Sequence, residues 1–111
     1  MESEFFENWV TQLRKGMLEL CVLNAIRSGV SYGYEIVRRL GDVDSLIITE
    51  GTVYPILSRL KREEFVRTEI EESPGGPPRK LYRLTEKGRA ELVRMERYWE
   101  RVTAGIDAMR K

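Results

Sequence analysis

Glu50 to Phe65 reads EGTVYPILSRLKREEF, and behind it Pro74 to Thr85 reads PGGPPRKLYRLT. The first stretch puts hydroxyls and cations on one short segment, and the second sets Arg79 and Lys80 beside a glycine-proline turn. Hydroxyls and closely approached backbone amides suit phosphate oxygens, and arginine can also read guanine through a paired hydrogen bond. The chemistry indicated is recognition of a DNA duplex. Thr49, Gly51, Thr52, Tyr54 and Pro55 would form the end that approaches bases and phosphates, and Ser58, Arg59, Lys61 and Arg62 would add backbone contacts. Arg79 and Lys80 would meet phosphates across a minor groove, and Tyr32 could reach another phosphate. The same residues also fit a solvated helix face and a hairpin tip kept soluble by charge.

Other chemistries find little support. The chain has no histidine and a single cysteine, Cys21, so no intramolecular disulfide and no imidazole-based triad can form. A zinc site would need carboxylates and one thiolate. No metal, no cofactor and no enzymatic activity are therefore expected. Cys21, between Leu20 and apolar neighbours, reads as a small buried hydrophobe rather than a redox sensor.

A chain of 111 residues with 41% hydrophobic and 33% charged residues fits one globular domain with a small core. No apolar run approaches the roughly 20 residues of a membrane span, and the first residues are acidic and aromatic. A soluble, cytoplasmic protein with no membrane partner is expected. The net charge of +1 divides unevenly: Ser73 to Arg89 holds Arg79, Lys80, Arg83, Lys87 and Arg89 against Glu86 alone. The acids Glu2, Glu4 and Glu7 lead the chain, and Glu69, Glu71 and Glu72 fall in the first strand. Because charges are screened over about 8 Å, a local basic footprint suffices for phosphate contact.

The elements that must position these groups follow from periodicity. Apolar residues from Phe5 to Ile26 recur every three or four positions, predicting one amphipathic helix or two in line, with Gly16 as a bend. Ser28, Gly29 and Ser31 break it, and Tyr34, Ile36, Val37 and Leu40 define a short helix ending near Gly41. Asp42 to Ser45 reads as a loop. A third helix buries Val53, Ile56, Leu57 and Leu60; either Thr49 or Thr52 could cap it, and Pro55 favours an irregular first turn around Gly51 and Thr52. Val66, Thr68 and Ile70, then Tyr82 and Leu84, alternate with polar or outward residues on two strands joined by a long tip. Thr85 caps the last helix.

In that helix Leu92, Met95, Trp99, Val102, Ile106 and Met109 keep one narrow seam for almost three heptads, which predicts a homodimer interface. The predicted fold class is mainly α with a small β-hairpin: a winged helix-turn-helix over residues 1–85 and a C-terminal dimerisation helix over 86–111.

The residues resemble one family. YGYEIVRRL (Tyr32 to Leu40), EGTVYPILSRLKREEFV (Glu50 to Val66) and PPRKLYRLTEKG (Pro77 to Gly88) are similar, in order and spacing, to the PadR family of transcriptional regulators of the short kind. With the terminal helices the resemblance covers nearly the whole chain. It implies a repressor-like homodimer on a palindromic operator in double-stranded DNA. It also implies a small aromatic effector stacked on Trp99 between subunits, with Trp9, Leu13, Gly16 and Leu20 lining the cavity; plain interface packing is the other reading of Trp99. A winged-helix module that docks a protein without touching DNA is the alternative from another class. Three positions depart from the family pattern. Glu64 stands where glycine is usual after the third helix, implying a cost of about 1 kcal/mol or a different exit turn. Leu81 replaces an aromatic and Pro77 a basic residue, which would shift affinity from the wing toward the third helix.

Overall fold

The computed structural model describes residues 3–29, 32–43 and 49–111. The order is α1 (Glu4–Arg27), α2 (Gly33–Gly41), α3 (Glu50–Arg62), β1 (Val66–Glu71), β2 (Arg79–Leu84) and α4 (Glu86–Met109). This is the predicted class, mainly helical with one antiparallel hairpin. Ser31 and Ser45, assigned to breaks in the chain, lie outside the described residues.

Helix α1 is capped by Ser3, whose Oγ accepts the Phe6 N–H at 3.0 Å, and Glu4 and Glu7 in its first turn complement the helix dipole. It runs through Gly16 as one element, so the predicted bend does not divide it. Only its C-terminal half enters the core, through Leu18, Val22, Leu23, Ala25 and Ile26. Val22, Leu23, Ala25 and Ile26 pack with Ile36 and Leu40 of α2, Val53, Leu57 and Leu60 of α3, and Val66, Tyr82 and Leu84 of the hairpin.

The start of α3 resolves to Thr49, whose carbonyl accepts the N–H groups of Thr52 and Val53 at 3.0 and 3.1 Å. The irregular first turn predicted around Gly51 and Thr52 is thus corrected to a regular helix from Glu50. Pro55 lies inside it and has no N–H for the Gly51 carbonyl; both residues are exposed, so water can reach the carbonyl left over.

Helix α3 ends with the two bonds of a Schellman motif: Phe65 N–H to the Leu60 carbonyl at 2.9 Å and Glu64 N–H to that of Lys61 at 3.0 Å. The exit turn expected of a glycine is therefore kept, and Glu64 adopts φ 64° to keep it. Replacing Glu64 with glycine removes the left-handed penalty and is expected to stabilise the fold by about 1 kcal/mol, raising the melting temperature by roughly 4–8 °C. A melting curve no higher than that of the parent would contradict this account of the turn.

In the hairpin Val66 faces Leu84 and Glu71 faces Arg79. Ser73 to Gly76 closes a turn with Gly76 N–H on the Ser73 carbonyl at 3.1 Å. Pro74 and a Gly75 with φ 74° suit the two central positions of a type II turn. The predicted alternation holds only partly: Leu81 is buried, bridged on its free edge by Tyr32, while Ile70 is exposed.

Thr85 caps α4 as predicted, its Oγ1 accepting the Gly88 N–H at 2.9 Å and donating to the Glu64 carbonyl at 2.6 Å. Leu92, assigned by spacing to the dimer seam, is fully buried in this chain's own core, and Met95 packs against that core. Heptad spacing alone cannot separate an intramolecular partner from a second copy. The seam left uncovered is Trp99, Val102, Ile106 and Met109, exposed by 39, 38, 43 and 80%.

Candidate nucleic-acid interface and effector trough

With Val53, Leu57 and Leu60 buried, the 3.6-residue period places Gly51, Pro55, Ser58 and Arg62 on the outward side of α3, and all four are exposed. Tyr54 sits on the flank toward α2. Its phenol ring lies so close to Gly33 that a Cβ there would meet the Tyr54 hydroxyl at 2.6 Å. The ring lies against α2 and the residue keeps 38% of its surface exposed, outside the core. Arg59 points to the other flank, where it forms a salt bridge with Glu19 of α1.

A cleft of about 350 Å³ opens between α3, the start of α2 and the tip-proximal part of β2 in the wing. Tyr32, Tyr34, Tyr54, Ser58, Arg79 and Lys80 line it. Five of the predicted DNA-binding residues thereby converge from three elements. Lys61 lines a separate groove on the far side of the wing with Arg67 and Lys87. Thr49 and Thr52, with Oγ1 atoms 3.4 Å apart, mark the N-terminal end of α3.

The electrostatics differ from what a segment count suggests. Antiparallel pairing returns the acids of β1 to the bases of β2. Glu71 accepts from Arg79 at 3.3 Å, and Glu69 pairs with Arg67 and lies 3.7 Å from Arg83. The hydrogen bond from Arg67 is the main reason the Glu69 carboxyl titrates below its ordinary value. Arg79 is also stacked on the Tyr32 ring at 4.8 Å.

The second site is a trough of about 740 Å³ between α1 and α4, lined by Leu13, Gly16, Leu20, Met95, Tyr98 and Trp99 among others. Four of the five predicted effector residues meet there. The fifth, Trp9, does not line it; it stacks on Phe6 at 5.9 Å nearer the start of α1. On its other side Trp99 borders a smaller cavity of about 400 Å³ that reaches Cys21. Burial raises the Cys21 thiol above its ordinary value, in keeping with a packing role.

A family model described as the PadR-like family of transcriptional regulators matches residues 22–94. The chain belongs to that family. Similar solved structures include a PadR-like transcription factor from Bacteroides fragilis, 38% identical with a TM-score of 0.77 over 92% of this chain and 98% of that one. A PadR family regulator from Eggerthella lenta is 31% identical with a TM-score of 0.82, covering 96% and 92% of the two chains. Bacillus subtilis PadR in complex with operator DNA is 25% identical with a TM-score of 0.63, over 70% of this chain and 45% of that one.

In this PadR-like regulator the matched segment contains α2, α3, the wing and the first turns of α4, and so the whole cleft. The exposed seam from Trp99 onward lies beyond it. Tyr34 lines the cleft and Tyr98 the trough although the sequence assigned neither to a site, and Glu71 bonds to two of the cleft's residues. The YGYEI motif could have pointed to Tyr34, since Gly33 leaves room between two tyrosines; nothing local marked Glu71, which reaches the cleft through strand pairing. Among the described residues there is no cluster that could hold a metal ion and no helix long and apolar enough to cross a membrane.

Proposed function

We propose that this PadR-family regulator is a homodimeric repressor whose two α3 helices enter successive major grooves, about 34–36 Å apart, on a palindromic operator. The observation that carries the reading is the cleft: phenols, a serine hydroxyl, Arg79 and Lys80 converge from α2, α3 and the wing beside an outward α3 face of small residues. Small side chains at Gly51, Pro55 and Ser58 let the helix backbone approach the base edges, with Thr49, Thr52 and Arg62 at its ends. That the related Bacillus subtilis protein is held on operator DNA supports the same use of the head here.

Dimerisation is supported by the two long helices. Phe5, Phe6, Trp9 and Leu13 on α1 and Trp99, Val102, Ile106 and Met109 on α4 are exposed apolar side chains at the ends that leave the core. Large apolar side chains left exposed along a helix in this number mark an interaction surface. The trough lined by Trp99, Leu13, Gly16 and Leu20 would then lie at or near the interface and take a flat aromatic effector. Such a ligand releases DNA only by binding one spacing of the two heads better than the other.

The test is binding of fluorescent DNA from the chain's own upstream region, with sedimentation to give the oligomeric state. Expected are a dimer at micromolar concentration, affinity that falls steeply with salt, and quenching of tryptophan fluorescence by planar aromatic compounds that is lost in Trp99→Ala. A monomer that ignores this DNA at low salt would overturn the reading, and salt-insensitive binding to a protein would favour the interaction module.

A further inference from the structure

One carboxylate stands among the donors of the cleft. Glu71, the last residue of β1, accepts a hydrogen bond from the Tyr32 phenol at 2.6 Å and one from the Arg79 guanidinium at 3.3 Å. Arg79 covers the Tyr32 ring at 4.8 Å, Tyr34 stacks behind that ring at 5.6 Å with planes 9° apart, and Arg38 lies 5.9 Å from the Tyr34 ring. The stack fixes where the Arg79 and Tyr32 donors point. A carboxylate oxygen and a phosphate oxygen ask the same of such donors. The two groups therefore already converge on one anionic oxygen, and that oxygen is the protein's own.

We propose that Glu71 occupies a backbone-phosphate site of the reading head and acts as a built-in competitor that lowers both the affinity for DNA and its dependence on salt. The inference rests on the DNA-binding reading above. Arg79 and Glu71 are direct partners in the hairpin register, so the carboxylate cannot move far when a phosphate displaces it. It would remain beside the DNA polyanion, within the screening length of about 8 Å. The pair is also half exposed, which keeps its own strength low and its displacement feasible. The hydrogen bond to Glu71, the largest cause, raises the Tyr32 phenol above its ordinary value, so the hydroxyl stays a donor at neutral pH.

The alternative is that Glu71 is only a strut bracing the wing against α2. Glu71→Gln keeps an acceptor oxygen of the same shape and removes the charge, which separates the two. With upstream DNA at about 0.15 M salt, the competitor role predicts binding about three- to tenfold tighter and a log-log salt slope steeper by roughly 0.9 per reading head. Glu71→Thr, suited to a strand, should give the same gain. Arg79→Ala should weaken binding, and adding Glu71→Gln to it should recover only the smaller part of the gain that comes from relieved repulsion, because the competed site is gone. Unchanged or weaker binding by both neutral variants, or an equal gain without Arg79, would overturn the competitor role. If the parent protein itself binds no DNA, the regulator reading fails instead, so the two failures are distinct.

Discussion

Replacing Gly88 with alanine is expected to destabilise the protein by about 2–4 kcal/mol, lowering its melting temperature by roughly 10–25 °C. A Cβ built at Gly88 would lie 1.9 Å from the Phe65 carbonyl oxygen and 2.8 Å from its carbon. Both are backbone atoms, so no side-chain rotation can relieve the clash. Nor can the two segments easily part, because Thr85 N–H donates to that same carbonyl at 3.1 Å while its Oγ1 holds Glu64 and Gly88. Moving α4 together with Thr85 would give up the bonds to Phe65 and Glu64, and moving α4 without it would give up the cap, each worth about 1 kcal/mol. Helix propensity acts in the opposite direction, favouring alanine by about 1 kcal/mol, and is outweighed. Gly105, on the same helix with open space around its missing Cβ, supplies the control. Its change to alanine should raise stability by about 0.5–1 kcal/mol. Thermal and urea unfolding of both variants would decide, and similar stabilities for the two would refute the close-approach argument.

The second large effect is expected at the exposed seam. Changing Val102 and Ile106 together to glutamate should leave the monomer folded, since neither residue belongs to the core cluster, but should separate the proposed dimer. Each substituted side chain forfeits the roughly 1 kcal/mol of apolar burial still open to its exposed part and adds about 1 kcal/mol or more for a carboxylate placed in an apolar interface. Over the four copies in a dimer that sums to roughly 6 kcal/mol or more, a rise in dissociation constant of about 10⁴-fold. Operator affinity should then fall by about 10²–10⁴, because the second head no longer binds at the effective concentration its tether sets. Sedimentation equilibrium, circular dichroism and DNA anisotropy on one preparation would test each step. A variant that stays dimeric with parental affinity would move the interface elsewhere, with the exposed aromatics of α1 next in line.

The same seam marks how far the residues could be read without the fold. Trp99, Val102, Ile106 and Met109 are exposed, but Leu92 at the same spacing is fully buried within its own chain. Periodicity identifies an apolar face and says nothing of what covers it. The boundary between the two uses falls where α4 passes the end of the core, a length set by how the hairpin and α1 pack. Arg59 and Lys61 teach a similar lesson. Both were legible as cations on α3, yet one is turned to Glu19 and the other to a groove behind the wing.

Most of the secondary structure was legible because its signals are local. Apolar spacing in the helices, the Thr85 cap, the proline-glycine turn and the short alternating strands each lie within a few residues of what they specify. The EGTVYPILSRLKREEF and PPRKLYRLT segments likewise carry the resemblance to the family, and both lie within the residues its model matches. Tertiary structure alone decided the electrostatics and the close approaches. Glu71 and Arg79 are separated by the whole hairpin tip, and only antiparallel register sets them face to face at Tyr32. Gly88 and Phe65 meet only because α4 turns back across the exit of α3. Side-chain type and short-range spacing are written along the chain, whereas the meeting of distant groups depends on burying one shared core, which no single segment encodes.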